Sequence, residues 1–219
     1  MGYYVYVGLV FFGFVLLAFL TLFFVPSDAM QGVVQRIFYY HVPTAWVSFT
    51  AFILGGWYSF RYLRYGQAED DGRAENFILL GWLFTTGVLI TGPLWAKPIW
   101  GDFWNWSDER LITFFVMWLS YGAYFLFRLS LDDLDKKAKY GAVLALLFLL
   151  NIPLVYFSII LWETPSHPGP VVMRGGLRDW RMTWTFWYAV LWFHLFLFML
   201  YIPAAKWQKL KLVRGKSRQ

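Results

Sequence analysis

The chain has 219 residues, of which 59% are hydrophobic, 23% are aromatic and only 15% are charged. This composition lies outside the ordinary range of soluble domains and indicates an integral membrane protein. The formal net charge of +6 comes from basic residues in short segments beside apolar stretches, so its expected partner is the lipid bilayer and not nucleic acid. Because the sequence has no cysteine, disulfides, thiolate metal ligands and C-x-x-C motifs are excluded.

Six long apolar stretches alternate with short polar segments along the chain. A bilayer core about 30 Å thick requires roughly 20 helical residues, and lipid offers no partner for the backbone of an irregular segment. No stretch shows the alternating pattern of a β-barrel strand. We therefore predict an all-α, polytopic membrane protein that forms one domain over residues 1–219. The predicted spans are Tyr3–Val25, Tyr39–Phe60, Phe77–Ala96, Leu111–Phe127, Tyr140–Trp162 and Met182–Ala205.

Lysine and arginine are distributed unequally between the two sides of the predicted bundle. Thirteen of the nineteen lie in residues 61–76, in residues 128–139 and in the tail after residue 205. The positive-inside rule predicts that this side, which holds both termini, is cytoplasmic. The expected location is a plasma or bacterial inner membrane, with the other three connections on the outer, periplasmic side. The two inner connections have mixed charge, and we interpret residues 64–75 and 132–139 as solvated turns.

Two of the three outer segments carry a histidine close to a proline. In the first, Arg36 precedes His41, and Pro43 is expected to mark the start of the second span because proline is accepted in the first turn of a helix. In the third, His167 stands between prolines and is followed by Arg174. Both histidines are therefore predicted at the outer ends of spans.

The second outer segment, residues 95–110, combines four tryptophans with five charged residues. We expect Pro93, Pro98 and Gly101 to interrupt a regular helix in this region. One interpretation of the segment is a strip of aromatic surface that binds a flat, amphipathic ligand. The other is the belt of interfacial tryptophans that membrane proteins commonly have. The four indoles belong to Trp95, Trp100, Trp104 and Trp106.

Two histidines at one membrane face can bind one metal from opposite sides. A typical zinc site requires about four ligands, whereas a porphyrin iron takes two axial ligands, for which histidine is common. Tryptophan faces could cover the porphyrin, and an arginine could bind its propionates through charge-assisted hydrogen bonds. The candidates for that contact are Arg36, Arg110 and Arg174. A purely structural role for each histidine remains the alternative.

His194 lies midway along the sixth span, where an ionisable group is costly and often functional. The preferred interpretation is a neutral imidazole that is hydrogen-bonded to a neighbouring helix. The outer acids have no evident nucleophile or base partner, and no glycine-rich phosphate loop is present in the sequence. We therefore expect a binding protein and not an enzyme.

Three features of the chain resemble the CcmC family of cytochrome c maturation. They are the segment RIFYYHVP at residues 36–43, the segment WGDFWNWSDERL at residues 100–111, and an outer histidine before the sixth span. The family has a tryptophan-rich WWD motif, W-G-x-x-W-x-W-D, and the resemblance covers essentially the whole chain. Here Ser107 separates Trp106 from Asp108, whereas in the family motif the acid directly follows the tryptophan.

The resemblance implies that haem b is held non-covalently at the outer face, with His41 and His167 as axial ligands of its iron. The predicted haem-binding residues around them are Trp95, Trp100, Trp104, Trp106, Asp108, Arg110 and Arg36. The implied partners are a CcmE-like haem chaperone, an ATP-driven CcmA–CcmB transporter and a CcmD-like small protein.

The predicted function is to bind haem and to present it to the chaperone. Two alternatives remain open. A permease for haem or another amphipathic substrate would need polar groups along a path through the spans. A b-type cytochrome for electron transfer usually places paired histidines inside the bundle, so histidines in outer segments argue against it.

Overall fold

The computed structural model describes residues 1–161 and 176–216. Within these ranges the chain forms helices joined by short connections, and six helical segments are long and apolar enough to cross a membrane. The predicted all-α fold with six spans is thus confirmed. The α-helices are α1 (Gly2–Phe19), α2 (Phe38–Tyr65), α3 (Ala68–Trp100), α4 (Glu109–Leu129), α5 (Leu134–Phe148), α6 (Asn151–Leu161) and α7 (Trp180–Lys216).

Two shorter helical turns and one break complete the spans. A π-helical turn, Leu20–Phe24, extends α1, and a 3-10 turn, Val33–Ile37, leads directly into α2. The fifth span is divided into α5 and α6 just before Asn151. Pro153 falls in the first turn of α6, where its missing N–H is accepted.

Helix α3 continues through Pro93 and Pro98 to Trp100, so the expectation that these prolines interrupt the helix is wrong. Membrane helices tolerate proline because neighbouring groups and local adjustments satisfy the freed backbone. Gly101 does end the helix, with a left-handed φ of 88° and an N–H that donates to the Lys97 carbonyl at 3.0 Å.

Helix α2 begins at Phe38 and not at Pro43, which is a second correction. The 3-10 turn before it already has helical dihedrals, so the α-helix starts a full turn earlier than the proline indicates. His41 consequently lies within the first turns of α2.

Helices α2 and α3 form an antiparallel hairpin around Gly66, which has a φ of 66°. The two helices approach closely at glycines. A Cβ added at Gly81 would lie 2.8 Å from the ring of Phe52, and one added at Gly55 would lie 2.6 Å from Ile78. Small residues allow such backbone approach between membrane helices. This hairpin is the centre of the bundle.

The remaining helices cover the two sides of the hairpin. On one side, α1 and α7 pack against it. The core there comprises Val10, Leu17, Val47, Ala51, Leu80, Phe84, Ala189, Trp192, Phe193 and Leu197. On the other side, α4 and the two halves of the fifth span cover Phe52, whose ring stacks on Tyr121 with 3.7 Å between centroids.

One of the two connections that are predicted to be cytoplasmic is more ordered than expected, and the interpretation of residues 64–75 as a solvated turn is wrong. Helix α3 begins within this stretch and turns its acids towards neighbouring helices. Asp70 is 1% exposed and accepts from Arg61 Nε at 3.1 Å. Asp71 binds the guanidinium of Arg128, which is itself 4% exposed. These ion pairs join α2, α3 and α4 at the end of the bundle opposite the tryptophan-rich segment.

Candidate functional site

The segment between α1 and α2, which is predicted to be an outer one, folds into a tight loop that reaches α3. Asp28 Oδ1 accepts from the backbone N–H groups of Met30 and Gln31, each at 2.8 Å. Gly32 closes the loop with a φ of 58° and exchanges backbone hydrogen bonds with Asp28. The loop places Gln31 so that its Oε1 accepts from Trp95 Nε1 at 3.0 Å. The outer segment is therefore tied to the indole nearest the predicted ligand.

His41 belongs to α2, and its side chain packs against the last turns of α3. Its Nδ1 is 2.9 Å from Thr91 Oγ1, and its ring lies edge-on to Trp95, with 5.6 Å between the centroids. A Cβ added at Gly92 would come within 3.2 Å of His41 Cε1, so the imidazole rests on the α3 backbone. The structure thus brings together the predicted ligand His41 and the predicted platform residue Trp95.

The first pair of indoles, Trp95 and Trp100, lies in the last part of α3. Trp95 contacts Trp100 with 6.5 Å between centroids, and it also packs on Phe38 at the start of α2. Trp95 is partly buried and enters the cluster formed by Val25, Phe38, Tyr39, Met182 and Phe186. It is therefore anchored in the bundle, while Trp100 extends the aromatic contact to the end of α3.

The second pair of indoles, Trp104 and Trp106, lies in the loop before α4 and packs against Phe115 of that helix. Their centroids are 5.5 Å apart, and each is 6.0 Å from the ring of Phe115. Trp106 is 67% exposed, whereas Trp104 is partly buried and its Nε1 has no hydrogen-bond partner within the described ranges. From Phe115 the aromatic contacts continue to Trp118, which is stacked at 5.9 Å. An exposed indole and an unsatisfied buried donor are suited to a ligand with both apolar and acceptor groups.

Asp108 is the N-cap of α4. It is 1% exposed, and its Oδ1 accepts from the backbone N–H groups of Arg110 and Leu111 at 3.0 and 3.2 Å. A carboxylate at this position satisfies helix donors and complements the helix dipole. The cap places Arg110 in the first turn of α4, directly after the indole loop. Oε2 of the neighbouring Glu109 is buried and lacks a partner in the described part of the chain.

Arg36 and Gln35 lie in the 3-10 turn before α2. Gln35 is 6% exposed, and its Nε2 is 3.4 Å from Tyr39 Oη. Gln35 Oε1 and Arg36 Nε are both buried without a hydrogen-bond partner among the residues that the structure describes. A buried guanidinium N–H without an acceptor is costly, so Arg36 is a fitting donor for a ligand carboxylate.

His167 and Arg174 lie outside the described residues, so their predicted places stay predictions. Over the described ranges, no group of three or more His, Cys, Asp or Glu side chains is arranged to hold a metal ion. The residues that are described fit a porphyrin better than a bare cation. They provide one imidazole with an indole against it, and two buried N–H donors, on Arg36 and Trp104, that have no partner among the described residues.

His194 has a structural place between α7 and α2. Its Nδ1 is 2.7 Å from the carbonyl of Val190, which can only accept, so Nδ1 carries the proton. Its Nε2 is 3.0 Å from Thr50 Oγ1 on α2. The predicted hydrogen bond between this imidazole and a neighbouring helix is confirmed.

Asp179 precedes the last helix and caps it with its carboxylate, as Asp108 caps α4. Its Oδ1 accepts from the Arg181 backbone N–H at 2.8 Å, and Arg181 Nη2 donates to Oδ2 at 2.9 Å. The Arg181 side chain, together with this backbone bond, holds the pKa of Asp179 below its usual value. The start of α7 is therefore defined by a charged pair.

Three residues beside His41 and Trp95 were not predicted: Thr91, Gly92 and Gln31. The positions of Thr91 and Gly92 could have been predicted from the register of the α2–α3 hairpin. His41 precedes Gly66 by 25 residues, and Gly92 follows Gln67 by 25. Phe52 and Gly81 are also equidistant from this turn. Once the turn at Gly66 is recognised, an antiparallel pairing of the helices places Gly92 opposite His41.

A comparison with known proteins identifies the relatives of the chain. A family described as Heme exporter protein C matches residues 3–218. Heme exporter protein C of Bradyrhizobium diazoefficiens is 35% identical over 152 residues, and that of Escherichia coli K12 is 30% identical over 151 residues. A ccmC-like mitochondrial protein of cytochrome c biosynthesis from Marchantia polymorpha is 31% identical over 157 residues.

These three alignments cover 69%, 69% and 72% of this chain. They cover 57%, 61% and 66% of the respective relatives. The matched region thus spans less than two thirds of each curated relative.

Proposed function

The chain belongs to the CcmC family, Heme exporter protein C, and on that premise we propose that it handles haem during the maturation of c-type cytochromes. In this proposal, haem b is bound non-covalently at the membrane face where α2 begins and α3 ends. His41 and His167 are the proposed axial ligands. The bound haem is presented to a partner and is not chemically converted, so the protein is not an enzyme.

The observation that carries the proposal is the placement of His41 against Trp95. An imidazole at the end of a span, bonded through Nδ1 to Thr91 and flanked by an indole 5.6 Å away, is a suitable axial ligand beside an apolar wall. The imidazole would then hold the iron through a ring nitrogen, and the indoles would shield the porphyrin from water. Trp95, Trp100, Trp104 and Trp106 are the proposed wall.

Arginine donors complete the proposed site. Arg36 Nε is buried without a partner in the described ranges, and a propionate would satisfy it through a charge-assisted hydrogen bond. Arg110 follows the Asp108 cap at the start of α4 and is the second proposed donor. Asp108 itself holds the indole loop against this helix end.

The proposed partners follow from membership of the family. They are a CcmE-like haem chaperone that receives the cargo, a CcmA–CcmB transporter and a CcmD-like small subunit. The binding face is proposed to be periplasmic, because most of the lysines and arginines lie towards the other end of the spans. Intramembrane electron transfer is disfavoured, since His194, in mid-span, bonds to Thr50 and Val190.

The test is the haem content of the protein purified from membranes, measured as pyridine haemochrome, for His41→Ala and His167→Ala. Each variant is expected to lose most of the bound haem and to change the visible spectrum. His194→Gln is the matched control, because it alters the third histidine at a place away from the proposed site, and it should retain haem. Unchanged haem content and spectrum in both His41→Ala and His167→Ala would refute the proposal.

A further inference from the structure

The hydrogen bond between Thr91 and His41 defines which nitrogen of His41 carries the proton. Thr91 Oγ1 lies 2.9 Å from the carbonyl of Gly87, one turn earlier in α3, and also 2.9 Å from His41 Nδ1. The hydroxyl has a single proton and the carbonyl can only accept, so Thr91 donates to Gly87. Both contacts are satisfied together only when His41 Nδ1–H donates to Thr91. The lone pair of the neutral ring is then on Nε2.

The adjacent glycine determines how deeply the ring sits. A Cβ at Gly92 would lie 4.0 Å from His41 Nδ1 and 3.2 Å from His41 Cε1, and the shorter of these distances is tighter than an ordinary contact. Any larger residue would push the ring away from α3 by a few tenths of an ångström. Thr91 and Gly92 thus act on the same imidazole, one through a hydrogen bond and one through close approach.

We propose that Thr91 and Gly92 are positioning residues for His41: they hold its imidazole in the Nδ1–H tautomer and at a depth that makes Nε2 the ligand nitrogen. This inference rests on the proposed function, because it assigns a ligand atom to one of the two proposed axial histidines. Neither residue touches the iron. Hydrogen bonds of this kind orient ligand imidazoles, raise their basicity and typically change metal affinity by about 10- to 100-fold.

The hydroxyl of Thr91 is a neutral acceptor, so the expected change in haem affinity lies at the lower end of the range of about 10- to 100-fold. Thr91→Val keeps the shape of the side chain and removes the acceptor. Thr91→Ser keeps the acceptor and should restore the wild-type behaviour. Thr85 is the matched control, because it lies on the same helix and donates to Gly81 one turn earlier as Thr91 does to Gly87.

The first measurement uses the protein without haem. With 15N-labelled histidine in nanodiscs, the signal of His41 is the one that disappears in His41→Ala. We expect a protonated Nδ1 and an unprotonated Nε2 in the wild type, in Thr91→Ser and in Thr85→Val. Thr91→Val should give a mixture of tautomers, and Gly92→Ala should shift the His41 signal while retaining Nδ1–H. A wild-type His41 that is protonated mainly on Nε2 would overturn the inference, even if the Thr91→Val variant did not fold.

The second measurement is the titration of hemin into the same variants. Thr91→Val is expected to raise the dissociation constant about 10-fold, whereas Thr91→Ser and Thr85→Val should match the wild type. An unchanged dissociation constant in Thr91→Val would also overturn the inference. Failure of the proposed function is distinguishable, because it would appear as unchanged hemin binding in both His41→Ala and His167→Ala. The tautomer of His41 in the haem-free protein is measured independently of that result.

Discussion

Arg128 on α4 forms a two-pronged ion pair with Asp71 on α3, with Nη1–Oδ1 and Nη2–Oδ2 distances of 2.7 and 3.0 Å. The Arg128 side chain is only 5% exposed and that of Asp71 17%. Glu75 adds a third contact at 3.4 Å. This pair joins two spans at the end of the bundle that is predicted to face the cytoplasm.

Replacement of Asp71 by asparagine should destabilise the protein strongly. The substitution removes one partner and leaves the Arg128 guanidinium buried with weaker compensation, which typically costs about 3 kcal/mol. The measurement is the unfolding temperature in detergent. Lys136→Ala is the control, because Lys136 pairs with Asp133 at 3.8 Å with both side chains at least half exposed, and it should have little effect. Equal unfolding temperatures for Asp71→Asn and the wild type would contradict the expectation.

Asp108 accepts the N-cap hydrogen bonds of α4 and also carries a negative charge, and two substitutions test these properties separately. Asp108→Ala should lower stability by about 1 kcal/mol, because two backbone N–H groups lose their acceptor. Asp108→Asn should retain the stability, since asparagine is an equally good N-cap. Denaturation in detergent measures both variants. If asparagine were as harmful as alanine, the role of Asp108 in the fold would depend on its charge and not on the cap.

Close packing of the hairpin predicts a cost for Gly81→Ala. The new methyl group would lie 2.8 Å from the ring of Phe52, and that ring cannot retreat because it stacks on Tyr121 at 3.7 Å. Overpacking of this kind costs roughly 1–3 kcal/mol. Gly122→Ala is the matched control, because its Cβ would meet Trp82 at an ordinary 3.6 Å. The unfolding temperature should fall for Gly81→Ala and not for Gly122→Ala, and the reverse order would show that the hairpin packs differently.

Backbone conformation predicts that Gly32→Ala disturbs the first outer loop. Gly32 has φ 58° and ψ −138°, a combination that costs an L-residue about 1–3 kcal/mol. Opening the loop would also release Gln31 from Trp95, so hemin affinity should fall together with stability. Gly8→Ala, in α1 with open space around it, should leave both quantities unchanged or improve stability. Hemin affinity that is unaffected by Gly32→Ala would separate the loop from the site.

Much of the fold was predictable because a bilayer imposes simple requirements on sequence. Six apolar stretches of sufficient length predicted six spans, and the structure differs mainly at their ends. The prolines at 93 and 98 were misleading, since the rule that proline ends a helix is relaxed where neighbouring helices satisfy the backbone. The mixed charge of residues 64–75 was misleading for a similar reason: the partner of Asp71 lies 57 residues away in sequence.

The residue types at the predicted outer end could be read directly from the chain: the histidine at 41, the indoles and the arginine donors. These could be recognised because their chemistry is unusual beside apolar spans. Which of these residues come into contact became evident only in the folded protein. His41 contacts Thr91, Gly92 and Trp95 because α2 and α3 pair in one antiparallel register, and that register depends on glycines 55 and 81 allowing close approach. Contacts between helices depend on how their side chains pack, and this packing cannot be read from the amino-acid sequence of one chain.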